Sequence, residues 1–259
     1  MTGQTFEALR AKRLNYVRSA RENQFEEGLR TLLADLYPDN AHFIFELLQN
    51  AEDAQASTVY FDLQRTQLTV EHDGTRAFTL ANVEAITSIG QSTKRDDETQ
   101  IGKFGIGFKA VFAYTNRPEV RSGQFSFAIE DLFVPEPVKA LPTVGKTTFV
   151  FPFDRPIEKP IEVAYSEIER GLLDLSETTV LFLNKIKTIR YTTAEGHTGS
   201  VARKRIGDRY VTIESQVGVE TSVSHWLRLV GDHTLSEVIP PGQSVSAAFK
   251  LDRAPGSRS

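Results

Sequence analysis

The stretch GKFGIGFKAVFA, residues 102–113, constrains the fold of this chain more than any other. Gly102, Gly105 and Gly107 remove the Cβ where a backbone must turn tightly or approach a ligand closely. The residues from Phe108 to the end of the stretch are apolar enough for a buried helix. Backbone N–H groups at a helix start lack intrahelical acceptors and carry partial positive charge, so such a turn can cradle phosphate oxygens. A glycine-rich turn that only reverses the chain has the same composition, and the segments upstream must decide between the two readings.

Composition narrows the classes. The chain has 259 residues, 40% hydrophobic and 25% charged, enough for one large domain or two small ones with a real core. Thirty basic residues against 34 acidic ones leave a net charge of -4, which offers no general basic surface for a nucleic acid. The absence of cysteine excludes disulfides, thiolate metal sites and cysteine nucleophiles. The first residues carry no apolar signal core and no run reaches membrane-spanning length, so a cytoplasmic protein without a membrane partner is expected.

Periodicity predicts helices over residues 6–20 and 22–36, the second with Phe25, Leu29, Leu32, Leu33 and Leu36 on one face. The next helix, residues 41–54 (AHFIFELLQNAEDA), places Ile44, Leu47, Leu48 and Ala51 on one side. Glu46, Asn50 and Asp53 form a polar stripe on the other. Such a stripe can ligate a hard cation and orient a water, or it can be the wet face of an amphipathic helix. Residues 58–63 and 67–71 read as a hairpin leading to His72-Asp73-Gly74. An aspartate there can accept from an amino group such as that of adenine, and it is also a common turn residue. A short helix within residues 78–89, capped by Thr79 or Asn82, leads into a polar loop over residues 88–100, where Ser92, Thr93 and Lys94 can reach phosphates.

Beyond the glycine stretch, a hairpin is expected around Ser122-Gly123, and Pro135, Pro137 and Pro142 mark an irregular connection. A strand over 146–153, a helix over 161–175 and strands over 180–183 and 186–191 follow. Strands over 200–205, 210–214, 222–230 and 244–251 complete a β-rich second part.

Taken in order, ELLQNAEDA, HDG, IGQSTK and GKFGIGF, with KTTFVF beyond, resemble the GHKL ATPase superfamily, whose nucleotide site is built on the Bergerat fold. Within it the sequence looks most like the sacsin-type, heat-shock-chaperone-like modules over roughly residues 20–190. The resemblance implies a two-layer α/β sandwich with a mixed, mainly antiparallel sheet. It implies an ATP-binding domain over 1–190; the β-like pattern beyond reads as a smaller β-rich extension over 191–252, and the closing RAPGSRS as a disordered tail over 253–259.

By the same resemblance Glu46 is the general base, Asn50 the Mg2+ ligand, and Asp53 faces the nucleotide. Asp73, beside Gly74, accepts from the adenine amino group. Gly102, Gly105 and Gly107 hold the phosphates, with Lys103, Phe104, Ile106 and Phe108 alongside. Thr147 supports the adenine, and Ser92, Thr93 and Lys94 lie in the lid. ATP and Mg2+ are the implied ligands. The implied partners are a protein client, further domains of a longer chain, and a second copy in an ATP-dependent homodimer. A nucleic-acid-linked ATPase and a nucleotide sensor without hydrolysis are the rival readings. The sequence departs from the family where Thr75 and Arg76 follow Gly74 in place of a second glycine. It also shows no recognisable trans-acting cation, and the basic run Arg203, Lys204 and Arg205 reads equally well as a solvated strand edge.

Overall fold

The computed structural model describes residues 5–22, 43–88, 107–140, 145–155, 159–206, 209–232 and 244–254. These form helices α1 (Phe6–Glu22), α2 (Phe43–Asp53), α3 (Leu80–Ile86), α4 (Ile161–Leu173) and α5 (Glu177–Leu181), and a 3-10 helix over Gly107–Ala113. The strands are β1 (Thr58–Gln64), β2 (Gln67–His72), β3 (Glu119–Ser122), β4 (Phe125–Glu130), β5 (Val134–Pro137), β6 (Thr147–Pro152) and β7 (Thr188–Thr193). Four more follow: β8 (Thr198–Ile206), β9 (Tyr210–Val217), β10 (Glu220–Asp232) and β11 (Ser244–Leu251).

All eleven strands join one sheet in the order β11-β10-β9-β8-β7-β1-β2-β6-β3-β4-β5. Neighbours are antiparallel except β1 and β7, which run parallel with Thr58 opposite Thr188. Chain alternation turns this sheet into a one-sided surface. Along β1 and β2, Val59, Phe61, Leu63, Leu68 and Val70 are buried while their neighbours stay half-exposed. Helices cover the buried face. Phe43 of α2 meets Phe151 edge-on at 6.0 Å between ring centres, and Phe108 lies 6.0 Å from Phe149. Ile168 and Leu172 of α4 complete the same core. The result is a two-layer α/β sandwich with a mixed, mainly antiparallel sheet.

The N-terminal helix α1 braces one end. Phe6 stacks on Phe125, Arg10 pairs with Glu136 of β5 at 2.8 Å, and Arg13 donates to the Glu84 carbonyl of α3 at 3.2 Å. At the other end β8 to β11 extend the same sheet beyond β7 as successive antiparallel neighbours.

The structure corrects the sequence reading in several places. Residues 107–113 do make the expected buried helix, which is of the 3-10 type. The segment holding Pro135 and Pro137 is not irregular but strand β5, pairing with β4. Among the described residues it has a partner on one side only, the position where a residue without N–H breaks no ladder. Residues 180–183 are not a strand, since Val180 and Leu181 end the short helix α5. The strand after them starts at Thr188, two residues later than the apolar pattern suggested. The predicted helix beyond Glu22, the polar loop with Ser92, Thr93 and Lys94, and Pro142 lie outside the described residues.

Candidate functional site

Helix α2 is the spine of the candidate site. Ile44, Leu47, Leu48 and Ala51 point into the core as their spacing predicts. The polar stripe behind them is not simply a wet face. Glu46 and Asp53 are half-exposed, and Asn50 is buried to 6% exposure. The helix ends on Gln55 at φ 62°, in the left-handed region. Gln55 N–H donates to the Glu52 carbonyl at 3.0 Å and Ala56 N–H to the Ala51 carbonyl at 2.9 Å, closing the last turn and steering the chain into β1.

The His72-Asp73-Gly74 turn docks on that helix end. Gly74 packs so closely that a Cβ there would lie 2.8 Å from both the Cβ and the carbonyl oxygen of Ala54. Only glycine fits such an approach without moving backbone. Arg76 N–H donates to the Ala54 carbonyl at 3.1 Å. His72 is buried and its Nδ1 accepts from Gly74 N–H at 3.1 Å, while burial pushes its pKa down to about 4 despite the nearby Asp73. It is therefore a neutral structural acceptor at neutral pH.

Asp73 is exposed, yet its carboxylate is anchored. Oδ1 accepts from Ser57 N–H at 2.7 Å and Thr58 N–H at 2.8 Å, and Oδ2 from the Ser57 hydroxyl at 2.9 Å. Partial burial pushes its pKa up, but the bonds from Thr58 and Ser57 outweigh it and hold the group below the usual carboxylate range. The turn reading and the acceptor reading are thus compatible, because Oδ2 keeps lone-pair capacity beyond the one serine bond.

Thr147 opens β6 directly opposite His72 in the β2–β6 register, one residue from Asp73. Its hydroxyl is buried against Ser122 Oγ at 2.6 Å, and Ser122 Oγ also accepts from Phe78 N–H at 3.0 Å. Gly107 reaches the other end of α2, where a Cβ would overlap the Glu46 carboxylate. Phe108 beside it is buried. Gly102, Lys103, Phe104, Gly105 and Ile106 lie outside the described residues, as do Ser92, Thr93 and Lys94. The two glycine contacts sit eight residues apart on α2, about 12 Å at 1.5 Å per residue. Among the described residues no cluster of three or more His, Asp or Glu can hold a metal ion by itself. A lone buried amide such as Asn50 suits Mg2+ that takes its remaining ligands from phosphates and water.

Three features were not read from the sequence. Ser57 and Ser122 are the hydroxyl partners of Asp73 and Thr147. The Glu52 carboxylate accepts from the N–H groups of Asn184, Lys185 and Ile186 at 2.6, 2.7 and 2.9 Å. The same turn is held from the other side by Arg203, donating to the Ile186 carbonyl at 2.9 Å, and Arg228, donating to Asn184 Oδ1 at 3.0 Å. Arg203 is therefore buried, against the solvated-edge reading, whereas Lys204 and Arg205 are exposed. Burial, with repulsion from Arg205 and Arg228, lowers its pKa. Finally, Lys109 is buried, donating to the carbonyls of Ile86 at 2.9 Å and Leu132. A single charge inside the run FKAVF was the available signal.

Comparison with known proteins bears on this arrangement. Residues 72–139 match the Sacsin domain. Protein NO VEIN of Arabidopsis thaliana is 30% identical over 207 residues, covering 69% of this chain and 8% of that protein. Sacsin of Homo sapiens is 35% identical over 103 residues, covering 34% of this chain and 2% of sacsin. The chain thus spans less than a tenth of either relative's length. Among solved structures, the N-terminal domain of a DNA repair protein superposes with a TM-score of 0.46 at 10% identity, over 82% of this chain and 74% of that one. The B-subunit of the DNA gyrase from Myxococcus xanthus gives 0.48 at 12% identity, over 75% and 68%.

The one-sided sheet with α2 and the Asp73 turn at its end is a two-layer α/β sandwich. Over residues 72–139 the chain is sacsin-like.

Proposed function

We propose that this module binds ATP together with Mg2+ and hydrolyses it slowly, with ATP acting as a conformational switch in a larger chaperone-like protein. The supporting observation is the pair of close approaches on α2. Gly74 with Asp73 sits at one end, and Gly107 against Glu46 at the other, about 12 Å apart along the helix.

In this reading Asp73 Oδ2 takes a hydrogen bond from the adenine amino group, and the buried Thr147–Ser122 pair supports that side of the ring. Backbone N–H groups of the glycine stretch, from Gly102 to Gly107, hold phosphate oxygens. Asn50 ligates Mg2+, which when bound neutralises charge on the phosphates. Glu46 accepts the proton of the attacking water. Asp53 borders the nucleotide, and Ser92, Thr93 and Lys94 close over it. No trans-acting cation is recognisable in this chain, so turnover of the isolated module is slow. A state that binds ATP better is favoured by it, and a second copy or further domains of a longer chain read out that state.

Calorimetric titration of ATP and ADP, with and without Mg2+, tests the site. Wild type should bind in the micromolar range and Asp73→Asn about ten- to a hundredfold more weakly, the loss of one charge-assisted hydrogen bond. The amide introduced by that substitution keeps an acceptor for the Ser57 and Thr58 N–H groups, and circular dichroism checks that the variant is folded. Absence of binding by folded wild type would overturn the reading. Glu46→Ala should bind ATP and lose turnover; unchanged hydrolysis would remove Glu46 from the mechanism.

A further inference from the structure

The two edges of the sheet are treated differently by the sequence. β5 is four residues long, carries Pro135 and Pro137, and is braced by α1 through Arg10 and Glu136. Short length, proline and a covering helix are what protect an edge from pairing. Among the described residues β11 has none of these. It is eight residues long (SVSAAFKL), contains no proline, and among the described residues pairs only with β10.

One face of β11 is apolar and open. Val245 and Phe249 are 60% and 55% exposed. Through the register Phe249 stands opposite Leu227, Leu227 opposite Tyr210, and Tyr210 opposite Ile206, an apolar row across four strands. The strand's only charge, Lys250, is on the other face, paired with Glu177 at 2.6 Å and set over the Trp226 ring.

We propose that two copies of this chain associate through β11, edge to edge and antiparallel, to form one continuous sheet. The fitting partner is an unbroken strand with an uncharged apolar face, which is what β11 itself presents. Pairing about Ala247 sets Phe249 of each copy opposite Val245 of the other, an aromatic against a β-branched side chain on both sides of the two-fold axis. It also keeps Lys250 away from its own image, which parallel in-register pairing would not. The interface does not involve the candidate nucleotide site, and it needs no nucleotide.

Light scattering of nucleotide-free protein over a concentration series tests this, together with two single-cysteine variants. Because the native chain has no cysteine, any disulfide in such a variant joins two copies. Wild type should pass from monomer to dimer with concentration. Ala247→Cys should be trapped as an oxidised dimer, and Glu136→Cys on the β5 edge should not. Directly opposed antiparallel residues have the Cα separation a disulfide requires. Phe249→Lys should shift the equilibrium to monomer with an unchanged circular dichroism spectrum. Wild type that stays monomeric throughout would overturn the proposal. So would a dimer that Phe249→Lys leaves intact and Ala247→Cys fails to trap.

Discussion

Gly74 and Gly107 both lack room for a Cβ, but for different reasons, and the difference sets what each would do if changed. At Gly74 the obstacles include the backbone carbonyl of Ala54, which cannot move without unwinding the end of α2. Gly74→Ala should therefore cost about 1–3 kcal/mol of stability, read by chemical denaturation. At Gly107 the obstacle is the end of the Glu46 side chain, which can swing aside. Gly107→Ala should leave stability nearly unchanged and, on the proposed function, lower ATP turnover, because it displaces the carboxylate. Two buried titratable groups act through pH. His72 has a folded pKa of about 4 against an ordinary 6.5, so the unfolded chain binds its proton first as pH falls. Its effect is absent above pH 6.5 and grows to roughly 3 kcal/mol of lost stability as pH drops toward 4. His72→Asn, which keeps an acceptor for Gly74 N–H, should be less acid-sensitive than wild type by that amount. Burial lowers Lys109 from 10.5 to about 7, with Arg13 adding repulsion. In that window the unfolded chain holds the proton and the folded one does not, so wild-type stability should rise relative to Lys109→Met between pH 7 and 10. Neither the His72 nor the Lys109 environment was fully legible in sequence. The carbonyls that hold Lys109 belong to residues 23 positions away on either side.

Among the elements, the turn from Leu183 to Ile186 shows how much rests on distant partners. Glu52 of α2 accepts from three of its N–H groups, and arginines of β8 and β10 donate to its carbonyls and to the Asn184 side chain. Glu52→Ala should cost about 3 kcal/mol, since three N–H groups lose a charged acceptor together. Faster hydrogen exchange at Asn184, Lys185 and Ile186 would check that the loss is local. This turn also explains a misreading. Val180 to Leu183 is an apolar run that suits a strand, but the Ser176–Thr179 pairing starts a helix there and Glu52 ends any extension. Likewise Pro135 and Pro137 argue against a central strand and are compatible with an edge, a distinction that depends on topology and not on local pattern. By contrast β1, β2, β6 and β11 were legible because alternation or a long apolar run is itself local.

For the whole molecule, the sandwich and its mainly antiparallel sheet followed from the order of four short segments, whereas the single parallel pairing did not. That pairing joins Thr58 to Thr188 across the chain and seats β7 between β1 and β8. Every later strand is added to its immediate predecessor. During synthesis β1 must therefore wait for roughly 130 further residues before its second edge is satisfied, while β8 to β11 can zip on hairpin by hairpin as they emerge. A nascent chain halted before β7 carries an open β1 flank with valine and phenylalanine along it, which makes that interval the one in which a holdase chaperone would be needed.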